Sequence, residues 1–162
     1  MTAAWNLTYR WSNGQRPMAD ADIGRALRGW ADEIGPAVRD HLKDRTPVYR
    51  PPSADPHPAP GGRMRDSETY TSDYSDTSVT LTYAAHTPYA QYVISGARPH
   101  EITAVAARML HYYTETDEKF RRSVFHPGNK PNPFPQEVLD EMQDEIMSNL
   151  KSRIHAEISA SS

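Results

Sequence analysis

The hydrophobic pattern opens with an alternation. Trp5, Leu7, Tyr9 and Trp11 alternate with Asn6, Thr8 and Arg10. That period of two predicts a strand with one buried face, and Ser12-Asn13-Gly14 closes it with turn chemistry. From about Asp20 to Arg45 the spacing changes to three and four. Ile23, Leu27, Trp30, Ile34, Val38 and Leu42 form one apolar stripe of a helix that Asp20 or Asp22 can cap. Pro36 has no N–H to give the carbonyl of Asp32, so a kink or break is expected there.

Six of the 14 prolines fall between Thr46 and Gly62. Missing donors and a fixed φ rule out regular structure, and 47–62 is expected to be an extended, mobile loop or arm. Next comes a hairpin, Thr69 to Tyr74 and Val79 to Ala84, turning at Ser75 to Ser78. Val79, Leu81 and Tyr83 mark its inner face, and its polar first strand suits an edge or an arm. Pro88 to Val93 suits a short helical turn with proline at its first position, ended by Gly96. Ile102 to Thr116 is ambiguous. Met109 to Tyr113 and Phe120 to Phe125 look like strands on either side of a charged turn, and His126 to Pro135 is rich in breakers. The last element predicted is a helix from about Pro135 to Ile158, with 159–162 as a flexible tail.

In that helix Met142, Ile146, Leu150, Ile154 and Ile158 recur every four residues. Each step of four advances about 40° on a straight helix, so the stripe rotates by roughly 160° over its length. One flat partner cannot cover such a stripe. Its beginning is expected to pack on the chain's own sheet. Its later part, Ile146, Leu150, Ile154 and Ile158, is a candidate contact with another subunit, or the helix simply wraps its own domain.

These elements predict a single α+β domain over 1–162. It would hold a small antiparallel sheet, an N-terminal helix and a long C-terminal helix packed on it, and extended loop or hairpin arms. Composition narrows the picture. At 37% hydrophobic residues and a mean hydropathy of -0.77, the core is small, so part of the chain lies outside it or neighbours complete it. The absence of cysteine removes disulfides, thiolate metal sites and a cysteine nucleophile, and fits a reducing compartment. No apolar run is long enough to span a membrane and no signal peptide is visible. A net charge of -3 argues against a dedicated nucleic-acid binder.

The seven histidines show no tight ligand spacing and no HExxH pair, so no metal, cofactor or catalytic set is expected. Gly61-Gly62-Arg63 lacks the strand–loop–helix setting of a phosphate cradle. The acids at Asp140, Glu141, Asp144 and Glu145 favour the dipole at a helix start. The only basic clustering is Arg63, Arg65, Arg121, Arg122 and Lys130, with Tyr70, Tyr112 and Tyr113 near in sequence. It could meet nucleic acid, but the rim of a protein interface is the favoured reading. A small hydrolase using His126 or His111, and a DNA-binding module, remain as alternatives of other classes.

Three segments carry a resemblance. Thr46-Pro47-Val48 followed by Gly62-Arg63-Met64-Arg65-Asp66-Ser67 resembles a P-V-x-T-G-x-L-R-x-S pattern, here interrupted by Tyr49 to Gly61. Tyr89 to Gly96 resembles Y-A-x-Y-V-E-x-G, with Ile94-Ser95 where the acid would stand. His126-Pro127-Gly128 through Pro133-Phe134 resembles H-P-G-x-x-x-x-P-F, leading into a C-terminal helix. In this order the segments are similar to the HK97 gp10-like family of tailed-phage neck and tail-completion proteins, over roughly Thr46 to Ile158. The first strand precedes the helix with which the family pattern would begin.

The resemblance implies a structural virion protein without catalytic residues. It would form a homo-oligomeric six-fold ring between head connector and tail tube, around DNA that passes without sequence-specific binding. A tail terminator capping the tube is the alternative within this class. Arg63, Arg65, Tyr89, Tyr92, Val93, Gly96, His126, Pro127, Gly128 and Phe134 become its assembly motif. Tyr89, Tyr92 and Val93 are expected to pack a short helix on the sheet. His126-Pro127-Gly128 and Pro131 to Phe134 would shape a rigid loop and anchor Phe134 under the last helix. The proline-rich loop and the 69–84 hairpin are the expected arms toward adjacent rings.

Overall fold

The computed structural model describes residues 3–10, 20–56, 60–75 and 77–160. The first strand, β1 (Ala3–Arg10), turns Trp5, Leu7 and Tyr9 toward the core and Asn6, Thr8 and Arg10 to solvent. Trp11 and the turn expected at Ser12 to Gly14 lie outside the described residues. Helix α1 (Asp20–Arg45) follows. All six residues of its expected stripe are at most 2% exposed. Asp20 is the first residue of the helix, and Asp22 is bonded to Arg25 within its first turn.

The chain continues through Pro36 without a break. Only the bond to the Asp32 carbonyl is lost, on an exposed turn, while buried residues on both sides hold the helix in place. Gly35 beside it is required by packing. A Cβ there would come within 2.5 Å of the Tyr70 ring.

Strands β2 (Glu68–Tyr74) and β3 (Ser78–Ala85) complete an antiparallel sheet of order β1-β3-β2. β1 pairs with β3 from Ala3↔Ala85 to Arg10↔Ser78. Val79, Leu81, Tyr83 and Ala85 are buried from the central strand. The 69–84 hairpin is therefore the middle and one edge of the body sheet, and its alternating apolar face anchors it there; it is not a projecting arm.

Helix α4 (Phe134–Ala160) lies antiparallel to α1. The direction is visible in cross-helix partners. Arg45 meets Glu141 at 3.0 Å, Asn149 donates to Glu33 at 2.7 Å, and Arg25 meets Glu157 at 2.8 Å. The Trp30 indole N–H donates to the Ile146 carbonyl at 3.1 Å inside the contact. Phe134 packs edge-to-face on Trp5, with ring centroids 6.3 Å apart.

Val138, Met142, Ile146 and Leu150 are all buried, and Ile154 packs half-buried against the same core. Ile146 and Leu150 are thus used by the chain's own body and are closed to another subunit. Ile158 is half-buried. The rotating stripe winds around α1, which supplies the curved partner that a sheet could not. The helix extends through Ala160, so 159 and 160 belong to it, and 161–162 lie outside the described residues.

The projecting element is residues 97–129. In it β4 (His100–Thr103) pairs only with β7 (Ser123–His126), and β5 (Leu110–Tyr113) only with β6 (Glu118–Arg121). An isolated bridge between Ala97 and Asn129 closes its base. The stretch from Phe120 to Phe125 is two short strands with a bend at Arg122. No helix among the described residues is long and apolar enough to cross a membrane.

Candidate functional site

The one-turn helix α2 (Arg63–Asp66) starts after Gly62, whose φ of 93° only glycine adopts readily. Met64 points into the core, leaving Arg63 and Arg65 exposed, with Arg65 on Asp66 at 2.9 Å. Ser67 Oγ accepts the backbone N–H of His86 at 3.0 Å, tying this turn to the end of β3.

Helix α3 (Ala90–Ser95) is anchored by Ala90, which is fully buried, with Val93 and Ile94 packed partly against the core. Tyr89 and Tyr92 are 40% and 58% exposed, which corrects the expectation that they pack this helix on the sheet. The small Ala90 lets the helix backbone sit close to the core, and the tyrosines face outward. Pro88 precedes the helix instead of opening it.

Gly96 and Gly128 hold the base of the arm. Both have left-handed φ, 79° and 81°. A Cβ on Gly96 would stand 2.8 Å from the Asn129 carbonyl oxygen, and one on Gly128 only 2.2 Å from that of Ala97. This close approach lets Ala97 and Asn129 exchange two backbone hydrogen bonds of 3.0 Å. His126 Nδ1 accepts the Gly128 N–H at 3.0 Å. Asn129 Nδ2 donates to the Tyr92 carbonyl at 2.9 Å, and the Asn132 N–H reaches the Ile94 carbonyl at 3.1 Å. The 126–134 segment thus wraps the end of α3 and delivers Phe134, buried, to the start of α4.

The segment before α2 closes on the same place. A Cβ on Gly61 would lie 2.3 Å from the Tyr49 carbonyl oxygen, so the two ends of the proline-rich loop touch. Val48, Tyr49, Arg63, Met64, Tyr89 and Val93 border an open, mostly apolar cleft of about 500 Å³. Among its described residues the loop has no helix or strand, as expected, and it supports the tip of the arm. The Ser53 hydroxyl donates to Glu115 at 3.2 Å, and Tyr49, Pro52 and Asp55 border a second cleft with His111, Tyr112 and Tyr113.

A buried acid lies behind this surface. Glu68 is 4% exposed on the core face of β2. Burial raises its pKa above the usual carboxylate range, partly offset by Thr46 and Lys43. Thr46 Oγ1 bonds both the Leu42 carbonyl, at 2.7 Å, and the Glu68 carboxyl. The Thr46 hydroxyl thus ties the end of α1 to the buried start of β2.

The remaining sequence candidates fall on separate elements. Arg121 and Arg122 are exposed at the β6–β7 bend, and Lys130 is exposed beyond the arm's base. Tyr70 leaves them altogether and stacks on Tyr83 in the body, with centroids 6.0 Å apart. His111 bonds Glu118 at 2.7 Å and stacks on Phe120, whereas His126 faces His100 at 5.2 Å between centroids. Among the described residues no group of three or more His, Asp or Glu is placed to hold a metal ion.

The arm itself escaped the sequence reading. The signal was present in Ala104 to Leu110, an apolar run with one arginine and no alternation to bury it. Comparisons with protein-family models, with curated proteins and with solved structures found no match.

Proposed function

We propose that this chain is a non-enzymatic structural protein of a tailed bacteriophage: a neck or tail-completion subunit that joins tail to head around the DNA channel. In this reading it works in the virion as a homo-oligomeric ring, six-fold by the family resemblance. Its partners are the adjacent neck or tail-tube proteins and the head connector, and DNA passes through without sequence-specific contacts. The supporting observation is the convergence of α2, α3 and the 126–134 segment. These are the three stretches that carry the resemblance: the segments around α2 and α3 border one apolar cleft, and the 126–134 segment bonds to the far end of α3 at the root of the arm. Exposed Tyr89, Tyr92, Arg63 and Arg65 give that region the mixed aromatic and basic character of a protein interface.

Deleting the gene from the phage tests the proposal. A completion protein leaves tails of normal length beside filled, unjoined heads in electron micrographs. Overlong tubes would instead identify a tail terminator. Joined, infectious particles would sink both readings. Deleting Ser53 to Pro60, which removes support for the arm's tip, is expected to lower particle yield.

A further inference from the structure

The loop between β4 and β5, residues 104–109, breaks the rule that governs the rest of the surface. Ala-Val-Ala-Ala-Arg-Met is apolar but for one arginine, and every residue after Ala104 is exposed. Val105 is 97% exposed, with Met109 and Ile102 also exposed beside it. A run of consecutive exposed apolar residues is unfavourable in water unless something covers it. Arg108 and Arg122 flank this loop, and among the described residues neither has an ion pair.

A complementary surface exists on the body. Among the described residues β1 has a sheet neighbour on one side only. Against its first residues runs an open groove of about 570 Å³, mostly apolar, bordered by Ala4, Trp5, Ile94, Pro135 and Leu139. Gln136 also lines it, and the same ridge of α4 continues through Asp140, bonded to Gln136 at 2.8 Å, to Asp144 one turn further. Both acids are exposed, and among the described residues neither forms an ion pair.

We propose that the 104–109 loop of one copy docks in the β1–α4 groove of a second copy, with Arg108 and Arg122 set against Asp140 and Asp144. The occupant follows from charge as well as shape. An apolar knob flanked by arginines matches an apolar groove from which a ridge of α4 carries two carboxylates onward on the same chain. Knob and groove are different surfaces, so the contact is head-to-tail and propagates into a ring or an open chain. Closure into a ring rests on the neck reading; the contact itself does not. The four exposed arginines of the arm could also meet DNA, but the apolar residues between them favour protein.

The experiment is a charge swap in the full-length chain, read by sedimentation velocity. The wild type is expected to associate as concentration rises. Arg108→Glu with Arg122→Glu, or Asp140→Arg with Asp144→Arg, should each give monomers with unchanged circular dichroism. Mixing the two variants should restore association, because each reversed surface then meets its complement. The chain has no cysteine, so a Val105→Cys copy mixed with a Ser95→Cys copy should form a disulfide heterodimer in preference to either homodimer.

A wild type that stays monomeric at every soluble concentration overturns the proposal, as does association indifferent to the swap. So does a swap that abolishes binding to double-stranded DNA while self-association persists. Virions that contain the chain while its assembly ignores the swap would sink this contact and leave the neck reading standing. Restored assembly of a chain absent from virions would do the reverse.

Discussion

The body and the arm use apolar residues in opposite ways. In the body, two helices of 26 and 27 residues and three strands of seven or eight carry clean periodicities, and those periodicities end in burial. β3 alternates half-buried and buried along its whole length. In the arm, four strands of four residues pair only in twos, and β4 is exposed at every position. Fully burying a large aliphatic or aromatic side chain is worth about 1.5–3 kcal/mol, and the body collects that repeatedly. A lone two-stranded pair is marginal in water, so the arm leans on its glycine-pinned base and on the proline-rich loop at its tip. The exposed apolar residues of the arm are therefore separate from those that stabilise the fold.

The sharpest way to break this division is at Trp30, which is fully buried and bonded to Ile146 across the helix pair. Trp30→Ala should cost about 3–5 kcal/mol in chemical denaturation. Gly35→Ala comes next. Alanine usually improves a helix interior, but here the Tyr70 ring occupies the space, and a loss of about 1–3 kcal/mol is expected from overpacking. Gly29→Ala is the control, because its nearest neighbour is the flexible end of Arg153 at 3.4 Å. There a gain of about 0.5–1 kcal/mol should appear.

Glu68 gives a pH-dependent effect of definite sign. Its folded pKa lies above its ordinary value of 4.5 because of burial. The protonated acid is the form that favours folding, so this contribution is complete below 4.5 and is lost as pH rises through the folded value. Glu68→Gln should remove that part of the pH dependence and match or exceed the wild type at neutral pH in thermal melts.

The smallest effect is expected in the arm. Val105→Ser should change stability by no more than about 0.5 kcal/mol, and amides of 100–126 should exchange with solvent before those of α1 and β3. A large loss at Val105, or slow exchange throughout the arm of the isolated chain, would erase the contrast.

Much of the body was legible in the sequence. The stripe from Ile23 to Leu42, the alternation in β1 and β3 and the glycine at 96 are local consequences of period and backbone permission, which sequence records directly. Other features were not legible because their cause lies elsewhere in the chain. Pro36 looked like a breaker, but packing on both sides outweighs one lost hydrogen bond. The Tyr89–Val93 stretch looked like core, but Ala90 takes that place and turns the tyrosines outward. The rotating α4 stripe required a curved partner, and periodicity could not tell whether that partner was α1 or a second copy.

In the body, residue order thus determined which long segments are helix or strand and which face of each is apolar, because those properties depend on neighbours one to four positions away. Tertiary structure alone decided that β1 lies beside β3, that α1 takes up the α4 stripe, and that Gly96 and Gly128 close the base of an arm. Each of these joins residues tens of positions apart, where a choice among partners is settled by total burial and close approach rather than by local preference.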